Sequence, residues 1–310
     1  MSWVPVVDLA AKDAPEAVAE AAARCGFLTI VGHGVAPHVS EAAWSQARAF
    51  FDLPAEEKMK VAMPRPGYPY GYSPLLGETL AASLGNGGPP DLKESFAIGP
   101  VDPPRHTMLD PDESFAWSAN LWPSALPDFR SAWETYFREM SALAARLLST
   151  MAVALNLSPS HFESSIDRHT SAMRALNYPT PSTVADGQLG AGAHTDYGTL
   201  TILLADPVQQ GLQVRDDTGA WRPVAAEPGS FVVNLGDAMA RWTNDRWRST
   251  LHRVVVPTAR RQSIAFFHNA NWDAMIECLP TCQSAAEPAK YPPIAAGPHL
   301  MSKFQSTVNS

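Results

Sequence analysis

The sequence predicts a mixed α/β protein with a mainly β core, a double-stranded β-helix (jelly roll) flanked by helices. Three observations support this prediction. The first half carries apolar residues at helical spacing, whereas from about residue 172 onward short β-rich runs alternate with Gly, Pro, Asn and Asp. Many short strands at such spacing are typical of sandwiches and barrels rather than of alternating βα units. No internal repeat or low-complexity linker separates the halves, so we expect one structural domain over residues 1–310.

The helical prediction concerns three segments of the first half. Residues 15–27 and 37–53 carry apolar side chains at i, i+3 and i+4, and each begins with Pro in its first turn. A long amphipathic segment covers about 124–155 and is expected to be scaffold. Between the first two helices, residues 26–34 combine β-branched content with closing glycines, which predicts a short strand.

The β-rich second half contains seven runs that predict strands. Each run is bounded by residues that favour turns. The runs are AMRALNY, GTLTILLAD, GLQV, WRPV, SFVVNLG, LHRVVVP and RQSIAFFHN.

Composition and charge narrow the class of function. Lys and Arg number 23 against 31 Asp and Glu, a formal net charge of −8, which argues against nucleic acid or anionic membranes as partners. The longest apolar runs are too short to span a bilayer, and the N-terminus does not have the pattern of a signal peptide, so we expect a cytoplasmic protein. Cys25, Cys278 and Cys282 are too few and too unevenly spaced for a disulfide framework, and we expect none of them to bind a metal.

His194, Asp196 and His252 are the candidate metal ligands. Residues i and i+2 of an extended chain point to one face, so His194 and Asp196 can reach the same ion. His252 lies in another strand-like run; alone, it is equally well explained as a core histidine. Two imidazoles and one carboxylate form the facial triad of non-haem Fe(II) oxygenases, which leaves positions open for substrate and O2. The similar pattern of His161 and Glu163 begins a predicted helix, where i and i+2 do not share a face, and we interpret it as structural.

Arg261 and Ser263 form a second pattern, nine residues past His252. They share a face if their run is extended, and a guanidinium beside a hydroxyl suits one planar carboxylate. If that carboxylate belongs to 2-oxoglutarate, the formal charges of Fe(II), Asp196, 2-oxoglutarate and Arg261 cancel. A neutral site is the least costly arrangement in a low-dielectric interior.

With HTD, LHRV and RQSIAFF, the chain resembles the 2-oxoglutarate- and Fe(II)-dependent dioxygenases of the isopenicillin N synthase-like superfamily, and the likeness covers nearly the whole chain. The resemblance implies an N-terminal dioxygenase-family region at 3–115, a jelly-roll core that holds Fe(II) and 2-oxoglutarate at 168–272, and a C-terminal extension at 273–310. The other matching segments include VPVVDLA, AARCGFLTIVGHGV, GYSPLLGETLA, PDLKESFAIGP, NYP and NLGDAMARWTNDRWRSTLHRV.

Residue by residue, the resemblance implies that His194, Asp196 and His252 bind iron and that Arg261 and Ser263 hold the distal carboxylate of 2-oxoglutarate. The implied reaction consumes O2 and 2-oxoglutarate, releases succinate and CO2, and oxidises an unactivated C–H bond of a small molecule. Hydroxylation is the default outcome, with desaturation or ring closure as alternatives. Asp196 argues against a halogenase, which needs that position for halide. Substrates from secondary metabolism, including antibiotic scaffolds, amino acids, small peptides and terpenoids, are all compatible, and the oligomeric state stays open.

Tyr178 occupies the place where many relatives have a tyrosine that also touches the co-substrate. Relatives often read Asn-Tyr-Tyr-Pro here, whereas this chain has Leu176 in place of the asparagine, which removes one polar contact to the co-substrate. Arg174, Leu176 and Tyr178 share one face if the run is a strand. Arg174 is therefore expected either to meet an acidic or carbonyl-bearing substrate or to form a structural ion pair.

Two further groups are candidates for the substrate pocket. Tyr68, Tyr70 and Tyr72 lie in a Gly/Pro/Tyr-rich stretch at 64–90 and are interpreted as a lid; the alternative is a surface loop whose tyrosines pack locally.

Phe267 and Asn269 end the last predicted core strand and are candidates for lining the same pocket. Phe266 and Phe267 point in opposite directions, so only one of them can face it.

The sequence is also compatible with three alternative functions: an oxidase like isopenicillin N synthase that uses no 2-oxoglutarate, a non-catalytic binding module, and a zinc hydrolase. The hydrolase would need a general base that is not evident, and Arg261 and Ser263 would have no role in it.

Overall fold

Two β-sheets face each other across an apolar interior, and helices cover the outer face of the larger sheet. The structure is a computed structural model that describes residues 3–80, 89–102, 104–180 and 183–308. The strands are β1 (Val6–Asp8), β2 (Phe27–Val31), β3 (Gly71–Ser73), β4 (Glu94–Ile98), β5 (Ala172–Tyr178), β6 (Ala191–His194), β7 (Leu200–Ala205), β8 (Leu212–Arg215), β9 (Trp221–Pro223), β10 (Phe231–Leu235), β11 (His252–Val254), β12 (Arg261–His268), β13 (Met275–Ile276) and β14 (Ile294–Ala295).

The sheet topology is that of a jelly roll. In the described part of the chain, the larger sheet has the order β1-β2-β10-β7-β12-β5-β4-β3 and the smaller sheet the order β6-β11-β8-β9. Strands β13 and β14 form a separate ribbon. All seven predicted strand runs correspond to strands, which confirms the predicted jelly roll.

The three main predicted helices are confirmed as α1, α2 and α5, and α6 lies at the helix start predicted near His161 and Glu163; the other four helices were not predicted. Helix α5 is 26 residues long and packs against α1 and α2 and against β12 of the larger sheet. The helices are α1 (Ala14–Cys25), α2 (Pro37–Asp52), α3 (Ala55–Met59), α4 (Glu113–Ala116), α5 (Phe129–Ala154), α6 (Glu163–Ile166), α7 (Asp237–Trp242) and α8 (Ala296–Val308). None of the helices in the described residues is long and apolar enough to cross a bilayer.

The larger sheet is buried on both faces, which divides its side chains into two apolar clusters. Alternate residues of β12 show the division: Phe266 packs against Phe137 of α5, with ring centroids 5.1 Å apart. Phe267 instead belongs to the cluster between the two sheets. Because successive strand residues point to opposite faces, the residues of β12 that face the smaller sheet are every second one, counted from Phe267.

The first half contributes more to the sheet than predicted, because β1, β3 and β4 come from it in addition to β2, the strand predicted over residues 26–34. Strand β4 pairs with β5, and all five of its residues are buried. The strand pattern of β4 is interrupted by Glu94, which is buried and paired: Lys58 Nζ lies 2.8 Å from its carboxylate, and the Tyr72 hydroxyl donates to it at 2.6 Å. A buried charge that is paired inside the protein interrupts the apolar alternation from which strands are read.

Candidate active site

The structure brings His194, Asp196 and His252 together, and their potential ligand atoms lie within 4.8 Å of one another. His194 ends β6 and His252 begins β11, and the two residues are direct cross-strand partners in the smaller sheet. Asp196 Oδ1 lies 3.7 Å from Nε2 of each histidine. Among the described residues this is the only cluster of three or more potential ligands of its kind, and neither His161 nor the two C-terminal cysteines belongs to it.

Each histidine is oriented by a backbone carbonyl. Nδ1 of His194 lies 2.7 Å from the oxygen of Gly192, and Nδ1 of His252 lies 3.1 Å from the oxygen of Thr250. Because a carbonyl can only accept, Nδ1 carries the proton in both rings, and in the neutral form of each ring Nε2 keeps its lone pair. The two lone pairs are thereby available to one ion, the usual arrangement of metal-binding histidines.

Asp196 is held through the oxygen that does not face the histidines. Its Oδ2 accepts from Thr201 Oγ1 at 2.5 Å and from Asn234 Nδ2 at 2.7 Å. Thr201 and Asn234 are cross-strand partners on β7 and β10, so the larger sheet fixes the carboxylate that completes the cluster. These two residues were not singled out from the sequence, because neither is near Asp196 by strand spacing.

The protonation states of His194 and Asp196 are those that a metal ion requires. Burial, assisted by the neighbouring His252, lowers the pKa of His194 to about 4, so its ring is neutral near pH 7. Burial alone would raise the pKa of Asp196. The two histidines and the hydrogen bonds from Asn234 and Thr201 outweigh it, and the carboxyl pKa lies below its ordinary value. Neutral imidazoles and an ionised carboxylate are the forms that bind metals.

Arg261 and Ser263 share the inner face of β12, as predicted, with Arg261 Nη1 3.4 Å from Ser263 Oγ. Tyr178 is the cross-strand partner of Arg261 on β5, and the guanidinium lies over its ring, 4.8 Å from the centroid. Arg261 is only 2% exposed, its Nε has no hydrogen-bond partner, and among the described residues no carboxylate is paired with it. A buried guanidinium with an unpartnered N–H fits an anionic ligand such as a carboxylate of 2-oxoglutarate.

Leu176 and Arg174 follow Tyr178 along the same inner face of β5. Leu176 lies in the apolar cluster between the sheets, where it offers no hydrogen bond. Arg174 Nη1 contacts both carboxylate oxygens of Glu78, at 2.9 and 3.0 Å. The ion pair that the sequence left as one of two alternatives for Arg174 is thus present, and Glu78 was not anticipated as its partner.

Phe267 is the member of its pair that faces the interior between the sheets, which decides the question left open by the sequence. Asn269 lies just past the end of β12. Its side-chain Nδ2 donates to the oxygen of Thr170 at 3.0 Å, and its backbone N–H donates to Ser171 Oγ at 3.1 Å. These contacts anchor the end of the strand.

The three tyrosines of the lid interpretation are bonded to the protein itself. Tyr68 and Tyr70 donate to the carbonyl oxygens of Ala119 and Ala116, each at 2.6 Å. Tyr70 and Tyr72 are buried, and the Tyr72 ring lies 5.8 Å from that of Phe50, in the helical core rather than between the sheets. The placement corrects the lid interpretation for this group and agrees with the alternative of local packing. Residues 81–88 of the same stretch lie outside the described residues.

Two family profiles match the chain. The profile of the 2OG-Fe(II) oxygenase superfamily matches residues 170–270, and the profile described as non-haem dioxygenase in morphine synthesis N-terminal matches residues 4–125. The first of these covers all three candidate ligands together with Arg261 and Ser263.

Curated relatives and solved structures agree with the profiles. The chain is 37% identical over 276 residues to the 2-oxoglutarate-Fe(II) type oxidoreductase hxnY of Emericella nidulans, covering 87% of this chain and 77% of that protein. It is 33% identical over 292 residues to a homoarginine-6-hydroxylase of Oryza sativa subsp. japonica, covering 92% and 86%. The crystal structure of a full-length Neurospora crassa protein in complex with alpha-KG superposes with a TM-score of 0.86 at 30% identity, covering 98% and 96%. The same Neurospora protein has also been crystallised with alpha-KG and thymine.

Proposed function

The chain belongs to the isopenicillin N synthase-like superfamily of 2-oxoglutarate- and Fe(II)-dependent oxygenases and is an oxidoreductase that uses Fe(II), 2-oxoglutarate and O2; from this premise we propose the roles of its residues. His194, Asp196 and His252 hold the iron, and Arg261 with Ser263 binds the distal carboxylate of 2-oxoglutarate. The bound iron and co-substrate supply the O2 chemistry that oxidises a C–H bond of a small molecule.

The protein's own contribution is to position groups and to exclude water. Arg261 offers a planar fork to one carboxylate, and the Tyr178 ring supports the guanidinium from one side. Thr201 and Asn234 hold Asp196 so that its other oxygen faces the histidines. The apolar residues between the sheets keep the site dry, which strengthens these electrostatic contacts.

The convergence of the three ligand side chains carries the proposal. Backbone carbonyls orient the two imidazoles, and hydrogen bonds to Oδ2 fix the carboxylate. The remaining ligand atoms, Nε2 of each histidine and Oδ1 of Asp196, face one another, and without a cation these acceptors would have no partner between them. A cation at their centre accounts for the arrangement, and the donor set of two nitrogens and one oxygen matches non-haem Fe(II).

Anaerobic addition of Fe(II) and 2-oxoglutarate tests the proposed roles. The wild type is expected to develop a visible charge-transfer band and, in air, to release succinate. His252→Ala is expected to lose both while it keeps its circular dichroism spectrum, because a core of this size does not depend on a metal to fold. His161→Ala is the control, since this exposed histidine lies outside the cluster, and it should behave as the wild type does. A band of full strength in His252→Ala would refute the assignment.

The reaction most compatible with these features is hydroxylation. The alternative is an oxidase that uses no 2-oxoglutarate and binds substrate with Arg261 and Ser263. It is not favoured, because the Emericella relative is named a 2-oxoglutarate-Fe(II) type oxidoreductase and the superposed Neurospora structure is a complex with alpha-KG. Release of succinate in proportion to substrate consumed separates the two reactions. The rice relative is named for a hydroxylation of the amino acid homoarginine, which makes a small polar metabolite a reasonable first class to screen.

A further inference from the structure

Four charged side chains form a network on the inner side of the site, which we name the charged network: Glu78, Asp91, Lys93 and Arg174. Glu78 bonds Arg174 at 2.9 Å and lies 3.3 Å from Lys93 Nζ, and Lys93 lies 2.6 Å from Asp91. Asp91 Oδ1 also accepts from the backbone N–H of Gly192 at 2.9 Å. Gly192 is the residue whose carbonyl orients His194, so the network adjoins the candidate iron site.

Only two members of the network are accessible. The side chains of Lys93 and Asp91 are 2% and 3% exposed, whereas those of Arg174 and Glu78 are 27% and 23% exposed. The buried pair therefore serves as a support that holds Glu78 and β6 in place. The accessible pair presents one cation and one anion side by side.

The position of Arg174 along β5 places it on the substrate side of the co-substrate site. Tyr178 and Arg261 mark the end that receives the distal carboxylate, and Arg174 lies four residues away on the same face, about 14 Å along the strand. The carbon chain of extended 2-oxoglutarate, with four C–C bonds of about 1.5 Å each, is at most about 6 Å long. The co-substrate therefore ends well short of Arg174, so the exposed parts of Arg174 and Glu78 are not used by it.

Charge limits what that molecule can carry. Two carboxylates and two cations make the network formally neutral, and the neighbouring inner side chains, such as Leu176, Leu203 and Phe267, are apolar. A lone carboxylate or a lone ammonium would bring an uncompensated charge into this environment, which is costly. A head group with both charges adds none, and each of its charges finds an opposite partner.

The contacts leave capacity for such a head group. Arg174 uses Nη1 for Glu78, and no contact of its other two nitrogens is found among the described residues. Burial by itself would raise the pKa of Glu78, but Arg174 and Lys93 together outweigh it and lower this pKa to about 2, so Glu78 is ionised. An ionised carboxylate has about four acceptor positions, more than its two cationic partners need.

We propose that the primary substrate bears a zwitterionic head group, as a free amino acid does, with its carboxylate bound by Arg174 and its ammonium bound by Glu78. The inference rests on the proposed function and deepens it by naming the class of substrate. The apolar side chains between the sheets then receive the body of the substrate, whose C–H bond is oxidised.

A panel of free amino acids and blocked derivatives tests this inference. Succinate release is measured with Fe(II), 2-oxoglutarate and amino acids with aliphatic, cyclic or cationic side chains, each beside its N-acetyl derivative and its methyl ester. At least one free amino acid is expected to stimulate succinate release, and blocking either charged group should reduce kcat/KM by about tenfold or more, the effect of losing one charge-assisted hydrogen bond.

Glu78→Gln is the matched variant. It should reduce the preference for the free amino acid over the N-acetyl derivative by about tenfold while the KM for 2-oxoglutarate stays unchanged. Glu134→Gln is the control, because Glu134 is likewise a glutamate with two cationic partners, Arg130 and Arg138, but lies on the outer helix α5.

The outcomes separate the inference from the proposed function. If the anaerobic charge-transfer band forms but no amino acid stimulates succinate release, or if blocked derivatives work as well as free ones, the zwitterion inference is overturned and the proposed function stands. If the band does not form in the wild type, the proposed function itself fails. The comparison of derivatives needs only the wild type, so the inference stays testable even if Glu78→Gln does not fold.

Discussion

Replacing Thr201 by Val tests whether the hydrogen bonds behind Asp196 determine the metal affinity of the site. The Thr201 hydroxyl donates to Asp196 Oδ2 at 2.5 Å, and Val keeps the shape of the side chain while it removes the donor. A hydrogen bond to a charged group contributes about 1.5–3 kcal/mol. Because Asn234 still donates to the same oxygen, we expect the lower end, about 1.5 kcal/mol. This free energy corresponds to about tenfold weaker metal binding.

Calorimetric titration of the metal-free protein with Co(II) measures this affinity without turnover. Thr199→Val is the control: Thr199 is equally buried and lies two residues away, but its hydroxyl contacts His268 Nδ1 at 2.7 Å instead of Asp196. Thr201→Val should bind Co(II) about tenfold more weakly, within the 10- to 100-fold range typical of such outer partners. Thr199→Val should match the wild type. Equal affinities in the wild type and a folded Thr201→Val would refute the reasoning.

Three other predictions follow from single side chains. Arg261→Lys should raise the KM for 2-oxoglutarate by about tenfold or more, since an ammonium cannot replace the planar fork; an unchanged KM in steady-state succinate assays would contradict the role of Arg261. Phe266→Ala should lower the free energy of unfolding, measured in urea, by about 3–5 kcal/mol, because Phe266 is fully buried against Phe137. Phe267 is only half-buried, and Phe267→Ala should chiefly change substrate kinetics. A reversal of these two effects would contradict the assigned faces. Burial lowers the pKa of His169 to about 4. The neutral ring therefore contributes fully to stability above pH 6.5, and this contribution, at most about 3 kcal/mol, is lost as the pH falls towards 4. If the free energy of unfolding of His169→Phe fell as steeply with pH as that of the wild type, this reasoning would be contradicted.

The candidate iron ligands and the candidate co-substrate residues could be singled out because strand periodicity acts locally, and the family resemblance then implied their roles. The i and i+2 positions of His194 and Asp196, and of Arg261 and Ser263, share a face in any extended chain, and the structure brings each pair together. Local spacing could not predict which residues support them. Thr201 and Asn234 reach Asp196 from two strands that meet only when the sheet forms.

The residues that line the pocket were less predictable than the candidate metal ligands. The tyrosine-rich stretch looked like a lid, but the hydroxyls of Tyr70 and Tyr72 find partners inside the protein. The sequence did not distinguish whether Phe266 or Phe267 faces the pocket. The position of α5, against which Phe266 packs, identifies the outer face of β12.

By itself, the sequence determined the jelly roll, the candidate chemistry-bearing side chains and the charge balance expected if 2-oxoglutarate binds beside Arg261. These properties depend on short-range periodicity and on residue type, both of which are written along the chain. Only the tertiary structure decided that Glu78 and Lys93 stand beside Arg174 and which aromatic ring faces the interior. Such contacts join segments about 100 residues apart, and packing of the sheets and helices selects them from many partners that the sequence alone makes equally possible.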